Sequence, residues 1–375
     1  MKKNGSPLKI VYSARSIIPS RFANSVHVMK MCQALAAHGH QTTLILPPRR
    51  KGRLSGIDDV YEFYGVTRNF RIEKTLWLPK VGVYIHGLIS AFKAKLDGTD
   101  IFYTRSMEIA FFSCLLRNNT IFETHTPLTE FNYLDRLLLA FVLRSDKIKT
   151  FVVISDALKK LLLEAHPIEE SRVLVAHDGS DITKNITNTF NETNISVGYV
   201  GHLYKGRGIE VIIAAAQSIP AASFHVVGGN PDDVKYWEEK SSGIKNLTFY
   251  GFVSPQKAAE ISLKMDILLA PYQETVMVSS GLDTSKWMSP LKIFEYMAAG
   301  KAIICSDIPV LREVLENERN ALLCSPADYG AWVASIKRLI SDQDLRLLIS
   351  SNAYRDIKTK YSWSIRAKNI IDSVL

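Results

Sequence analysis

The pattern that most limits how this chain can fold occurs twice. Leu8 to Tyr12 (LKIVY) is a short apolar, β-branched run, followed by a polar loop and a helical stretch from Ser25 to His38; Gly39 ends that helix before a second apolar run at Thr42 to Leu46. Strand, loop and helix then restart at Ile195 to Val200 (ISVGYV). Further short apolar runs follow each start: Ile101 to Tyr103, Thr120 to Glu123 and Phe151 to Ile154 in the first half, and Ser223 to Val227, Leu247 to Tyr250, Ile267 to Ala270 and Ala302 to Cys305 in the second. Short strands alternating with helices specify parallel, doubly wound α/β sheets. With 375 residues the chain can bury two such cores. The polar, Asn- and Thr-rich stretch 181–194 reads as the connection. The expected division is 1–180 and 181–355, with 356–375 a C-terminal helix crossing back to the first domain. Ligands of such sheets bind beyond the carboxyl ends of the strands, so the expected site is a cleft between two facing sheets.

Charge is unevenly shared between the halves. The net charge is +9, and residues 1–185 carry 26 basic against 17 acidic side chains, which leaves the second half neutral. Residues 1–50 alone hold eight Lys or Arg and no Asp or Glu. The first domain should therefore meet something anionic. Nucleic acid is not expected, because no recognition motif accompanies the charge. Four scattered cysteines form no CxxC pair, which fits a reducing compartment and argues against structural zinc. The polar start Met1 to Gly5 lacks the long apolar run of a signal peptide. The longest apolar stretches, Val81 to Phe92 and Leu137 to Leu143, fall short of the roughly 18 residues a spanning helix needs. The expectation is a cytoplasmic protein, soluble or peripheral on the inner face of a membrane. Asn185, Asn191, Asn194 and Asn246 head N-x-S/T triplets that, with no export signal, read as loop composition.

Two segments carry the chemistry. Gly201-His-Leu-Tyr-Lys-Gly206-Arg207-Gly208 follows a strand and opens the helix from Ile209 to Gln217. Its glycines let the backbone turn tightly and approach a ligand, and the helix start offers free N–H groups to a phosphate. Gly208 stands where a P-loop needs its Mg-binding hydroxyl, and no G-x-G-x-x-G is present, which argues against nucleotide hydrolysis and nicotinamide chemistry. The second segment is SPLKIFEYMAAG, Ser289 to Gly300. Ser289 as cap and Pro290 in the first turn would start a helix whose N–H groups and Lys292 point outward. Lys292 and Glu295 share a face, as a surface ion pair or as a phosphate and ribose contact.

These segments, with Asp178-Gly-Ser-Asp181, Tyr250-Gly-Phe252, Asp266-Ile-Leu-Leu-Ala-Pro271 and the stretch Ser289 to Leu315, resemble family 4 retaining glycosyltransferases of the GT-B fold, two Rossmann-like domains facing across a cleft. The Ser25-Val-His-Val-Met-Lys-Met helix is similar to the first helix of that family. The resemblance implies a neutral second domain that binds the donor and a basic first domain that binds the acceptor. Arg207 stands where the family has a Lys on the donor diphosphate, and His202 where it often has an Arg. Gly201 belongs to the same loop. Leu291 and Lys292 sit where backbone amides meet the diphosphate, with Ser289 before them. Glu295 matches the second Glu of an E-x7-E motif on the ribose; the first would be at 287, where this chain has Trp287. Phe252 marks the nucleobase end. His125, in Glu123-Thr-His125 after a strand, resembles the histidine beside the reacting sugar. Arg15, Ser16, Arg21 and Arg105 follow strand ends on the acceptor side. Asp342-Gln-Asp344 spells D-x-D but reads as a solvated helix start.

The implied reaction is metal-independent transfer of a sugar from a UDP- or GDP-sugar to a hydroxyl of a glycan or lipid-linked acceptor, with retention and no cofactor. Catalytic roles fall to His125, Arg207 and Lys292. Two other readings remain: a sugar-nucleotide epimerase on the same fold, and a catalytically silent nucleotide-sugar or polyanion-binding protein, which Trp287 keeps open. The basic first half suits an anionic acceptor or an anionic membrane surface, and Lys74 to Lys95 mixes Leu, Trp, Tyr and Phe with Lys as an interfacial helix does.

Overall fold

The computed structural model describes residues 6–48, 52–76, 78, 81–130, 133–183, 195–278 and 281–375. Most of the expected connection, 184–194, with the triplets at Asn185, Asn191 and Asn194, lies outside them, as do Lys2, Lys3, Arg49 and Arg50. The chain forms two compact units, Met1–Asp178 with Trp363–Leu375, and Gly179–Ser362.

The first unit is a seven-stranded sheet of β1 (Lys9–Ser13), β2 (Gln41–Leu46), β3 (Arg71–Lys74), β4 (Ile101–Thr104), β5 (Thr120–Thr124), β6 (Ile148–Val153) and β7 (Val173–Val175), in the order β3-β2-β1-β4-β5-β6-β7. Every pairing is parallel. All four residues of β4 and all five of β5 are buried, as expected for strands covered on both faces. Order reverses between β1 and β4, which is where such a sheet opens for ligands.

The second unit has six parallel strands: β8 (Ser196–Val200), β9 (Ser223–Val227), β10 (Leu247–Phe249), β11 (Ile267–Ala270), β12 (Ala302–Ser306) and β13 (Leu322–Cys324), ordered β10-β9-β8-β11-β12-β13. Its switch point lies between β8 and β11. The core gathers Tyr199, Phe224 and Trp332 with the aliphatic strand residues. Local signals behave as their chemistry dictates. Asn230 and Asp233 form a reciprocal cap on the helix Pro231–Lys240. Asp342 accepts from the Leu345 N–H and starts the helix Gln343–Asp356, which is the role of the D-x-D triplet. Asn246 donates to the carbonyls of Ala216, Ile219 and Ala222, so this Asn is a loop tie.

Three differences from the sequence reading have local causes. The return to the first unit begins at Trp363; residues 356–362 stay with the second unit, where Tyr361 packs 5.5 Å from the Phe294 ring and Lys360 pairs with Asp356 at 3.5 Å. The helix after Ser289 is Leu291–Ala298: Pro290 itself occupies the cap position with extended backbone (ψ 121°), and no side chain caps the start. β3 (RIEK), β7 and β13 were not anticipated, since a charged run or a three-residue strand carries no periodic signal. The four cysteines are buried and unpaired.

Candidate functional site

In the second unit the site grows from the β8/β11 switch point. β8 runs into Gly201, and the helix Ile209–Ser218 starts directly after Gly208 with no side-chain cap. Gly208 has φ +72°, and a Cβ there would run into the Pro271 carbonyl oxygen, so only glycine closes this loop onto the end of β11. Lys292, in the first turn of Leu291–Ala298, does not point outward as expected but is buried, 8 % exposed. Its ammonium lies 3.8 Å from the Tyr199 ring centre and 5.1 Å from that of Tyr272. A Cβ on Gly201 would sit 2.7 Å from Lys292 Nζ, so the glycine makes room for it. The surface ion-pair reading fails accordingly: Glu295 is exposed while Lys292 is inside.

Arg207 approaches the same tyrosine, its guanidinium carbon 5.3 Å from the Tyr272 ring centre, and donates weakly to the Met277 carbonyl at 3.5 Å. Lys292 Nζ and Arg207 Nε are both buried without a hydrogen-bond partner. Burial, reinforced by the Arg207 charge, holds the Lys292 pKa well below the ordinary lysine value. A buried ammonium and a half-buried guanidinium beside two helix starts without side-chain caps make a cationic site suited to an anion. His202 stacks on Tyr204 at 4.7 Å in the same loop. Phe252 is half-buried beyond β10, where the Gly228 N–H bonds the Gly251 carbonyl and joins the ends of β9 and β10. Ser289 and Trp287 are buried, so Trp287 supplies a packed ring where an acid was sought. Gly201, His202, Arg207, Ser289, Leu291 and Lys292 thus stand around one switch point, with Phe252 at its β10 edge.

In the first unit His125 follows β5, and its Nε2 bonds Glu123 Oε1 at 2.5 Å. Burial, then the nearby Arg105 charge, lowers the His125 pKa to about 4, so the ring is neutral at pH 7. Glu123 is fully buried and is the centre of a cluster. Arg366 reaches it from the helix Trp363–Asp372 (NH2 to Oε1, 3.2 Å), the Tyr103 hydroxyl donates to it, and His27 Nε2 lies 3.0 Å away. His27 Nδ1 in turn contacts Asp178 Oδ1 at 2.8 Å. Burial raises the Glu123 pKa, but Arg366, His27 and the His125 bond outweigh it and hold the carboxylate ionised. Of the groups around Glu123, His125 and Arg105 were read from the sequence as site residues; Glu123 itself, His27, Tyr103, Asp178 and Arg366 were not.

The acceptor-side candidates divide. Arg15, Ser16 and Arg105 line a recess of about 190 Å³ at the β1/β4 switch point, together with Asn24, Met107 and Glu108. Arg15 pairs with Glu108 at 2.7 Å, and Arg105 spans from the recess to the cluster, its Nε 3.8 Å from Glu123 Oε1. Arg21 is exposed and outside the recess. His27, Glu123 and His125 are close enough to share a metal ion. Their donors are already engaged by Arg366, Tyr103 and Asp178, and a fixed guanidinium beside Glu123 opposes a second cation.

The chain matches the family model for glycosyl transferases group 1 over residues 194–342 and the one for glycosyltransferase family 4 over residues 25–184. An uncharacterized glycosyltransferase of Methanocaldococcus jannaschii is 25 % identical over 241 residues, 59 % of this chain. The D-inositol 3-phosphate glycosyltransferase of Corynebacterium urealyticum is 22 % identical over 249 residues, 60 % of this chain. The chain spans 58 % and 56 % of the length of these two relatives. Among solved structures, HepE of Anabaena in complex with UDP superposes with a TM-score of 0.73 at 16 % identity, covering 98 % of this chain and 99 % of that one. TarM gives a TM-score of 0.74 at 11 % identity, covering 98 % of this chain and 99 % of that one. With one model matching each unit and two doubly wound sheets, the chain belongs to the family 4 glycosyltransferases of the GT-B fold.

Proposed function

We propose that this chain moves a sugar from a nucleoside diphosphate donor to a hydroxyl of a glycan or lipid-linked acceptor, with retention of configuration. The observation that carries the reading is the buried Lys292 ammonium, without a hydrogen-bond partner at the β8/β11 switch point, with the half-buried Arg207 guanidinium beside the same tyrosine and its Nε unbonded. A departing diphosphate would supply the missing counter-charge, and stabilising it is the main electrostatic demand of glycosyl transfer. Arg207 offers a fork to two phosphate oxygens, and Lys292 is a point charge held in place by two tyrosines. In this reading Glu295, exposed one turn further along, accepts from ribose hydroxyls, and Phe252 packs on the base. These cations and helix starts neutralise the leaving group from within the protein, so the reading requires no metal or cofactor. UDP-sugars are the first donors to screen, since HepE was solved with UDP.

In the first unit, neutral His125 accepts hydrogen bonds near the reacting sugar, and the Arg15 and Arg105 recess receives the acceptor. One relative is named for D-inositol 3-phosphate, which supports an acceptor bearing an anionic group. The departing phosphate then takes the acceptor proton on the same face of the sugar. Trp287 favours a second reading, in which the chain binds a nucleotide sugar without transferring it. Release of free nucleoside diphosphate on addition of acceptor separates the two. Arg207→Ala and Glu295→Ala should abolish that release with unchanged thermal unfolding; wild-type turnover in either variant refutes the assignment.

A further inference from the structure

The helix Gly82–Leu96 is inside out. Its buried residues are Gly82, His86, Gly87, Ser90, Ala91 and Ala94, all small or polar. Its large apolar residues Leu88, Phe92 and Leu96, spaced i, i+4, i+8, face away from the sheet. A helix that only completes a soluble core has the opposite arrangement. The helix Asp156–Ala165 of the same unit does, burying Leu158 and Leu162 while Lys160 and Glu164 face water.

The two helices beside it bury apolar residues of their own, Met107 and Ile109 in one and Leu139 and Val142 in the other, and each also turns large apolar side chains outward. Gly82–Leu96 packs on Met107–Leu115, where Phe111 and Phe112 are only partly covered and Leu115 is exposed. That helix packs on Tyr133–Arg144, with Phe111 5.0 Å from the Phe141 ring. There Tyr133, Leu137 and Phe141 repeat the i, i+4, i+8 stripe. Among the described side chains, seven large apolar ones on these helices are between 42 % and 79 % exposed. Among the described side chains, the exposed charges on the three helices, Lys95, Arg136 and Arg144, are basic, and half-buried Lys93 pairs with Glu73. None of these helices is long and apolar enough to cross a membrane.

We propose that this three-helix face seats the first unit on an anionic lipid bilayer, the apolar stripes entering the interface and the basic side chains meeting phosphate headgroups. Apolar and cationic groups interleaved on one outer face match that surface on both counts. The sequence reading had placed only Lys74 to Lys95 in such a role; the structure adds the neighbouring helices and shows which side faces out. The inference does not rest on the donor site, and a chain without transferase activity would still bind.

The test is co-sedimentation of the full chain with vesicles of phosphatidylcholine alone or with one third phosphatidylglycerol. Binding should favour the anionic vesicles by more than about tenfold and weaken with salt. Leu88→Glu with Phe92→Glu, and separately Tyr133→Glu with Leu137→Glu, should each abolish it without changing the circular dichroism melt, because these side chains are 45 % to 79 % exposed. Leu348→Glu, an equally exposed position in the second unit, should leave binding intact. Failure to sediment, or binding indifferent to both double substitutions, overturns the proposal. So does a dimer in light scattering without lipid that the same substitutions disperse, which would assign the face to a second copy.

Discussion

Replacing Arg366 with methionine tests whether the cluster beside His125 is held from the far end of the sequence. Arg366 is 3 % exposed and makes two kinds of contact. Its guanidinium donates to the carbonyls of His177 (2.9 Å) and Ala176 (3.2 Å), and it lies 3.2 and 3.3 Å from the two oxygens of Glu123. Removing one partner of a buried ion pair costs about 3–5 kcal/mol, mostly from the charge left behind. Orphaning two carbonyls contributes about 1–3 kcal/mol of that kind for each poorly resolvated group. Glu123→Gln alone leaves Arg366 with its carbonyls but without its counter-charge and should also be costly. Combining Arg366→Met with Glu123→Gln removes both charges, so the double variant should be less destabilised than the sum by about 2–3 kcal/mol. Urea unfolding read at Trp363, whose ring lies 5.1 Å from that of His27, measures all four corners of the cycle. A loss below about 1 kcal/mol for Arg366→Met, or additive single effects, would show that Glu123 is neutral or solvated and refute the reasoning.

Other outcomes follow from the same geometry. Because Lys292 has a depressed pKa that an anion would raise, UDP binding should take up protons in the range where the free ammonium has begun to deprotonate; calorimetry in buffers of different ionisation enthalpy measures it, and Lys292→Met should abolish the uptake. His125 has a folded pKa of about 4, below its unfolded value, so its neutral form stabilises the fold fully above about pH 6.5 and this contribution is lost as pH falls towards 4. His125→Gln should flatten that limb of the stability profile. Gly208→Ala, at φ +72° against the Pro271 carbonyl, should cost at least about 1–3 kcal/mol and displace the loop carrying Arg207, visible as weakened UDP binding.

The fold was legible wherever one chemical signal repeated. Apolar runs, glycine stops and caps located most strands of both sheets, whereas β3, with the sequence RIEK, is held by pairing with β2 and shows no pattern of its own. The loop Gly201 to Gly208 was legible because glycines, a cation and a helix start are adjacent in sequence. What helical spacing could not reveal was the direction of Lys292: periodicity placed it with Glu295, and only the neighbouring Tyr199, Tyr272 and Gly201 draw it inward. The Glu123 cluster was hidden for a different reason. Arg366 and Glu123 stand 243 positions apart, and each alone reads as an ordinary charge on an amphipathic element.

That separation bears on the order in which the chain can be completed during synthesis. The first unit lacks Trp363–Leu375 until everything from Gly179 to Ser362 has left the ribosome. At roughly 5–20 residues per second this is a delay of about ten to forty seconds, in which the second unit can close while Glu123 still awaits its guanidinium. The nascent first half therefore carries, at the heart of its sheet, an acid without its guanidinium counter-charge until Trp363–Asp372 docks, and a ribosome that stalls before Arg366 releases a protein whose second unit is finished and whose first is not.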